Sequence, residues 1–419
     1  MKINNEIKSI ILQRSAITLG ILLFIRLGTF LPVPGINHSD LALYIQSHSV
    51  TRSLVSTFAG NDTFVIGLFT LNIFPYINAS ILVQLLLGFS PQLSKMQKEG
   101  DLEGKRSINR LTRLITLGWA IIQSVTLSIY LKQILFDWNY SLALEIVLWL
   151  TTGSMIILWL SELITDYGLG NGASLLIYTN IISSLPNLIN RFVFDEQTRN
   201  FTALSAIGMT LLLFAALYGI VFLQEGLRII PLISSKQLNQ SESQNYVISE
   251  NYLPLRFNQA GVMPIILTSA ILVVPNYLIN LELIPKINLP VNLESLSFLY
   301  WVGYFLLILL FSSFYAAIVL NPKDISDQFQ KMSVAIPGIR PGIQTTFYLK
   351  QVMKRTTLIG ATMLATLTTI PNLIESIFSI TNLNGLSSTS LLILAGVVLD
   401  LVREVKNIYF SNVYNNMYK

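Results

Sequence analysis

Cysteine is absent from the 419 residues, histidine occurs only twice, and charged side chains make up 12% of the chain. The missing cysteine excludes a disulfide framework, a thiolate metal site and a cysteine nucleophile, and it leaves the redox compartment unread. His38 and His48 stand in a polar stretch after the first apolar run, where solvated loop residues are the ordinary case, so neither is given chemistry. The shortage of charge decides more. Soluble domains carry about 25% charged residues, whereas this chain is 52% hydrophobic. Its solvent is a membrane.

Catalytic constellations are missing too. Glu145, Glu162, Asp166, Glu225 and Asp400 all fall near the ends of apolar runs. No paired carboxylate, Ser-His-Asp set or metal cluster can be assembled from them. Nor is there a G-x-x-x-x-G-K-[ST] loop to hold a nucleotide. The glycines of Tyr167-Gly168-Leu169-Gly170-Asn171-Gly172 superficially suggest a phosphate cradle, but no strand precedes them and no lysine follows, so a tight interfacial turn is expected. No enzymatic activity, catalytic residue, cofactor or metal ligand is expected.

What is present is a series of apolar runs, each close to the roughly 20 residues that cross a hydrocarbon layer. They lie at about 15–33, 68–88, 114–132, 142–161, 172–190, 203–224, 260–281, 297–319, 356–375 and 386–405, which predicts an all-α membrane protein of ten spans. The first run resists reading as a cleaved leader, because it extends from Ser15 to Pro34 with Arg26 inside it and no small-residue cleavage motif after it. Arg26 needs a partner at that depth, with backbone carbonyls or water near Gly28 and Thr29 as candidates. About 21 of the lysines and arginines fall on the side holding both termini and about 5 on the other, which places the termini in the cytoplasm or stroma.

Two loops are richly basic: Lys95, Lys98, Lys105, Arg106, Arg110 and Arg113 in the first, Lys323, Lys331, Arg340, Lys350, Lys354 and Arg355 in the second. Topology and anionic lipid account for any single charge. A loop of about 35 residues, however, exceeds what a helical hairpin needs and fits docking of a soluble partner. In Pro337-Gly338-Ile339-Arg340-Pro341-Gly342, two prolines and two glycines stiffen the backbone around one guanidinium. Between Thr51 and Phe69 a short apolar run, the turn Ala59-Gly60-Asn61-Asp62 and resumed apolar sequence describe either a re-entrant helix or a surface loop. Five spans on each side of residue 190 permit an inverted repeat, with halves at 1–190 (spans one to five, with the re-entrant or plug-like segment at about 53–67) and 191–419 (spans six to ten).

Several motifs, in order and spacing, resemble the SecY family of protein-translocase channels along almost the whole chain. They are Leu31-Pro32-Val33-Pro34-Gly35, Phe58-Ala59-Gly60, Ile73-Phe74-Pro75-Tyr76-Ile77-Asn78-Ala79-Ser80-Ile81, Lys98-Glu99-Gly100, Gly168-Leu169-Gly170-Asn171-Gly172, Asn258-Gln259-Ala260-Gly261-Val262 with Pro264, Asn321-Pro322-Lys323, and Ile336 to Gly342. The resemblance implies two pseudo-symmetric inverted halves around a central pore, with a lateral gate between spans two and seven and their neighbours three and eight. It further implies a pore ring of Ile73, Ile77, Ile177, Ile266 and Ile393, and a plug from Ser56 to Asn72 that includes Phe58, Ala59, Gly60 and Phe64. Motor or ribosome docking would fall at Lys105, Arg106, Lys323, Lys331 and Arg340. On the residues alone, an isoleucine in a span ordinarily faces lipid or packs against a neighbour.

The partners implied are a SecE-like subunit, a SecA-like ATPase, a SecG-like subunit, ribosome or signal-recognition machinery, unfolded preproteins and membrane lipids. Heavy use of isoleucine, asparagine and lysine with no cysteine looks like a plastid-encoded member of a thylakoid membrane, with a bacterial inner membrane as the alternative. The loop from Ser234 to Asn251 is poorer in positive charge than bacterial relatives, and Asn180 intrudes in span five without an assigned role. The rival function is an ion- or proton-coupled solute transporter with an inverted-repeat fold. Pro75, Pro264 and Pro275 could break its helices, but no ionisable group lies at the midplane where such a site would need one.

Overall fold

The computed structural model describes residues 2–34, 67–90, 102–132, 139–194, 203–234, 252–259, 261–265, 267–268, 293–319, 321–377 and 388–417. Its helices are α1 (Lys2–Gly28), α2 (Phe74–Phe89), α3 (Leu102–Leu131), α4 (Tyr140–Tyr167), α5 (Gly172–Phe194), α6 (Ala203–Glu225), α7 (Leu293–Val319), α8 (Pro322–Lys331), α9 (Ile343–Ile377) and α10 (Ser388–Met417). All but α8, which lies in the second basic loop, fall where the apolar runs predict spans. The seventh run, 260–281, lies mostly outside the described residues, as do His38 and His48. The chain divides into two compact units, Met1–Asp195 with Val397–Lys419, and Glu196–Gly396.

In the first unit α4 shows how a span is built. Its buried residues Ile146, Leu150, Gly153, Ile157, Leu160, Ser161 and Ile164 recur every three to four positions, a stripe that faces protein. Leu144, Leu148, Trp149 and Trp159 on the remaining surface are exposed, as lipid-facing side chains should be. The stripe includes Gly153, Ser154 and Ser161, small residues that let neighbouring backbones approach where no hydrophobic effect drives helices together. α4 packs against α1, α3 and α5, and α2 packs against α3.

Span two departs from expectation at its start. Residues 68–73 are turns, and the helix begins only at Phe74. Asn72 sets this boundary: it adopts a left-handed φ of 48° and its Oδ1 accepts the amide of Ile73 at 2.8 Å. Pro75 then occupies the first turn, where its missing N–H costs no hydrogen bond.

In the second unit α9 packs against α6, α7 and α8. A core of Ile220, Leu223, Ile265, Tyr304, Ile308, Leu364, Ala365 and Leu392 joins α6, α7, α9 and α10. Three buried threonines of α9 satisfy their hydroxyls within the helix. Thr356, Thr368 and Thr369 donate to the carbonyls of Val352, Leu364 and Ala365, at 3.1, 3.0 and 2.7 Å. Hydroxyls in hydrocarbon need such internal acceptors.

Outside the spans four short strands appear that hydropathy did not reveal: β1 (Leu227–Pro231), β2 (Ile233–Ser234), β3 (Tyr252–Arg256) and β4 (Val334–Ala335). β1 pairs antiparallel with β3, Leu227 opposite Arg256 and Pro231 opposite Tyr252, and β2 pairs with β4. Beneath them Ile230, Leu232, Leu255, Ile336, Leu349, Val352 and Met353 form a separate small core. Two loops far apart in sequence thus fold together on the base of α9 as one platform.

Candidate functional site

Residues 67–73, immediately before α2, are fixed on three sides. The amide of Leu68 donates to the carbonyl of Leu31 at 2.9 Å, and Pro32 and Gly67 form a β-bridge. A Cβ on Gly28 would strike the ring of Phe69, and one on Gly153 would fall on the carbonyl oxygen of Leu68. Non-helical backbone survives at membrane depth only when enclosed by protein. Here Phe69, Thr70, Leu71, Asn72 and Ile73 are all buried, and the Thr70 hydroxyl donates back to the carbonyl of Gly67 at 2.7 Å. The clamp delivers Ile73 and, one turn on, Ile77 at the head of α2, 1% and 4% exposed.

Of the other residues expected in the ring, Ile177 is half-buried on α5 and Ile393 half-buried on α10. Ile266 lies outside the described residues, as do Ser56, Phe58, Ala59, Gly60 and Phe64 of the expected plug. Asn180 is half-buried on α5. The guanidinium of Arg26 lies over the ring of Phe30, 5.1 Å from its centroid, an aromatic face where backbone carbonyls or water near Gly28 and Thr29 were expected.

Of the residues expected to dock a partner, four are exposed. Arg106 is exposed on α3, and Lys105 is placed on the same helix by its backbone. Lys323 and Lys331 are exposed at the two ends of α8, whose N-cap, Asn321, accepts the amide of Lys323 through Oδ1 at 3.1 Å. Arg340 is exposed between β4 and α9. Its turn is rigid as the sequence predicts: Gly338 and Gly342 take φ of 76° and 105°, which side chains disfavour. Thr345 Oγ1 donates to the carbonyl of Arg340 at 2.9 Å, and buried Ser326 donates to that of Gly342 at 3.0 Å.

The turn between α4 and α5 is the tight connector expected rather than an anion cradle. Gly168 donates to the carbonyl of Ile164 at 2.8 Å, Gly172 donates to Thr165 Oγ1 at 3.0 Å, and Asn171 Oδ1 accepts the amide of Ala173 at 3.0 Å.

Sequence reasoning missed a polar cavity of about 350 Å³ in the first unit, lined by Tyr76, Gln84, Asn109, Arg113, Glu162 and Asp166 among others. Arg113 donates through Nε and Nη2 to the two carboxylate oxygens of Glu162, at 2.9 and 2.8 Å. The signal was weak, since the partners are far apart in sequence and each looked like a span-end charge. Among the described residues no cluster of histidine and acidic side chains could hold a metal ion.

Comparison with known proteins decides what this arrangement belongs to. The sequence model of SecY matches residues 67–402. A protein translocase subunit SecY of Trieres chinensis is 60% identical over 423 residues, covering 98% of each chain. The chain belongs to the SecY family.

A second SecY, from Porphyra purpurea, is 43% identical over 417 residues, covering 98% of this chain and 99% of that one. In fold the SecY-family chain is similar to a solved structure described as a protein conducting channel. The TM-score is 0.65 at 16% identity, over 97% of this chain and 94% of that one. Relatives from plastid-bearing algae and cyanobacteria make it a SecY of plastid type. This multi-pass membrane protein is the channel-forming subunit of the Sec translocase, and the solute-transporter reading is not favoured.

Proposed function

We propose that the channel works as a passive, apolar gasket: Ile73, Ile77, Ile177, Ile266 and Ile393 narrow a path through which an unfolded preprotein slides. Branched aliphatic side chains yield to any sequence and bind none tightly, and an empty apolar constriction excludes ions by dewetting. The observation that carries this reading is the enclosure of the non-helical segment before α2, which holds Ile73 and Ile77 at a defined place within a broken span. Residues 1–190 and 191–419 are read as the two inverted halves; the compact-unit boundary at Asp195 falls near that division, whereas Val397–Lys419 groups with the first unit. Ser56, Phe58, Ala59, Gly60 and Phe64 form the plug that closes the far side.

The chain performs no chemistry of its own, and energy comes from a SecA-like ATPase or a ribosome docked at Lys105, Arg106, Lys323, Lys331 and Arg340. A SecE-like subunit clamps the halves, with a SecG-like subunit and signal-recognition machinery as further partners. We assign the thylakoid membrane, a reading with which relatives from plastid-bearing algae and cyanobacteria are consistent. Reconstitution with the SecE-like subunit tests the whole reading. Uptake of a preprotein that needs both ATP and the motor is the expected result. Gradient-driven flux of a small solute without the motor would overturn it.

A further inference from the structure

The polar cavity of the first unit has no part in an apolar gasket. Its volume of about 350 Å³ lies within the range of about 300–1,000 Å³ that small-ligand sites occupy. Tyr76, Ser80 and Gln84, spaced four apart, line it from one face of α2, with Arg113 of α3 and Glu162 and Asp166 of α4 as further walls. One polar atom in this lining is left over: Gln84 Oε1 is buried and has no hydrogen-bond partner. A stranded acceptor is costly, and a donor group within the cavity would relieve it.

Charge sorts the donors. The guanidinium of Arg113 is committed to both oxygens of Glu162, and Asp166, one turn farther along α4, leaves the wall with a net negative charge. An anionic group is therefore repelled. An ammonium finds uncommitted countercharge only in Asp166, which is exposed and screened by water. Tyr76, Ser80 and Gln84 are half-buried and uncharged. They offer two hydroxyls and an amide, and a hydroxyl on the ligand both donates and accepts, so a neutral group carrying several hydroxyls matches this wall.

Position identifies the carrier of those hydroxyls. Arg113 immediately precedes the apolar run 114–132 and Glu162 immediately follows the run 142–161, so their fork marks the hydrocarbon boundary on the side of the termini. Exposed leucines adjoin the lining in sequence: Leu86 stands beside the lining residue Leu87, and Leu114, 71% exposed, beside Arg113. A soluble sugar would use the hydrogen-bonding recess alone, whereas a lipid with a sugar headgroup would use the recess and the leucines together. We propose that the cavity binds the uncharged, polyhydroxylated headgroup of a glycolipid, with one hydroxyl donating to Gln84 Oε1 and the acyl chains along Leu86 and Leu114. Tyr76 and Gln84 share α2 with Ile73 and Ile77, so the bound lipid tethers the helix that carries those isoleucines to α3 and α4.

The experiment uses the full channel with its SecE-like subunit in phosphatidylcholine nanodiscs that contain a minor share of monogalactosyl diacylglycerol. Mass spectrometry then reads which lipids stay with the protein after transfer to detergent. The glycolipid should be retained in preference to phosphatidylcholine, and to phosphatidylglycerol added in a parallel sample. It should also raise the melting temperature, as a ligand of the folded state does. Gln84→Leu removes the acceptor without stranding another group, so the variant should fold. Its retention of glycolipid should fall about three- to tenfold, and its melting should no longer respond to the lipid. A glycolipid with a photoreactive headgroup should label α2 or the end of α4. Equal retention by variant and unmutated channel overturns the proposal, as does a preference for phosphatidylglycerol or an equal melting response to free methyl galactoside. Absence of any glycolipid enrichment overturns it too, and is the outcome if water alone fills the cavity. Should Gln84→Leu melt early, the place of labelling on the unmutated chain decides: label confined to other helices ends the proposal.

Discussion

Arg113 of α3 and Glu162 of α4 meet as a fork, two N–H donors on two carboxylate oxygens at 2.9 and 2.8 Å, on the wall of the polar cavity. Half of the arginine side chain and a third of the glutamate remain open to solvent, so water screens the pair. Its coupling should be about 0.5–1 kcal/mol, the upper range for an exposed pair with good geometry. A double-mutant cycle with Arg113→Ala and Glu162→Ala, read by thermal melting in detergent, checks this. Strictly additive single effects would show that the fork contributes nothing.

Gly153 tests the clamp before α2. An alanine methyl would occupy the place of the Leu68 carbonyl oxygen, backbone that cannot swing aside. Gly153→Ala should cost about 1–3 kcal/mol by overpacking and, by shifting the seat of Ile73, raise the ion conductance of resting channels in planar bilayers. Gly118 on α3 has nothing within 4 Å of an added Cβ, so Gly118→Ala is the control and should leave both readings unchanged. Equal behaviour of the two variants would remove Gly153 from any part in the seal.

The ring assignment has its own test. Replacing Ile73 and Ile393 together by asparagine puts amides where dewetting requires hydrocarbon. Resting channels should then leak ions while the protein still inserts. Conductance indistinguishable from the unmutated channel would count against both residues.

Arg340→Glu reverses the charge at the tip of the rigid turn without touching its backbone, because Thr345 and Ser326 bond to carbonyls and not to the guanidinium. Motor-driven uptake should fall severalfold, and the melting temperature should stay the same. Normal transport would take Arg340 out of the docking surface.

Much of this protein was legible in sequence because a bilayer imposes a one-dimensional code. The apolar runs that marked spans at 142–161 and 203–224 reappear as α4 and α6, α4 extended to Tyr167 where polar side chains continue the helix and α6 by Glu225 alone. Gly338 and Gly342 were readable as a stiff turn around Arg340 for a similar reason, since the needed conformation is local. Span two was read too long by six residues at its start. Hydropathy cannot distinguish a buried apolar turn from a helix, and Asn72 set the boundary through one hydrogen bond.

Sequence alone determined the solvent, the spans and the stiffness of particular turns, because each follows from neighbours along the chain. Tertiary structure decided that Gly153 seats Leu68, that Arg113 finds Glu162, and that β2 and β4, a hundred residues apart, join two loops into one platform. Those outcomes depend on which helix faces meet. Meeting of faces is a matter of packing in three dimensions, and no periodicity within a single segment records it.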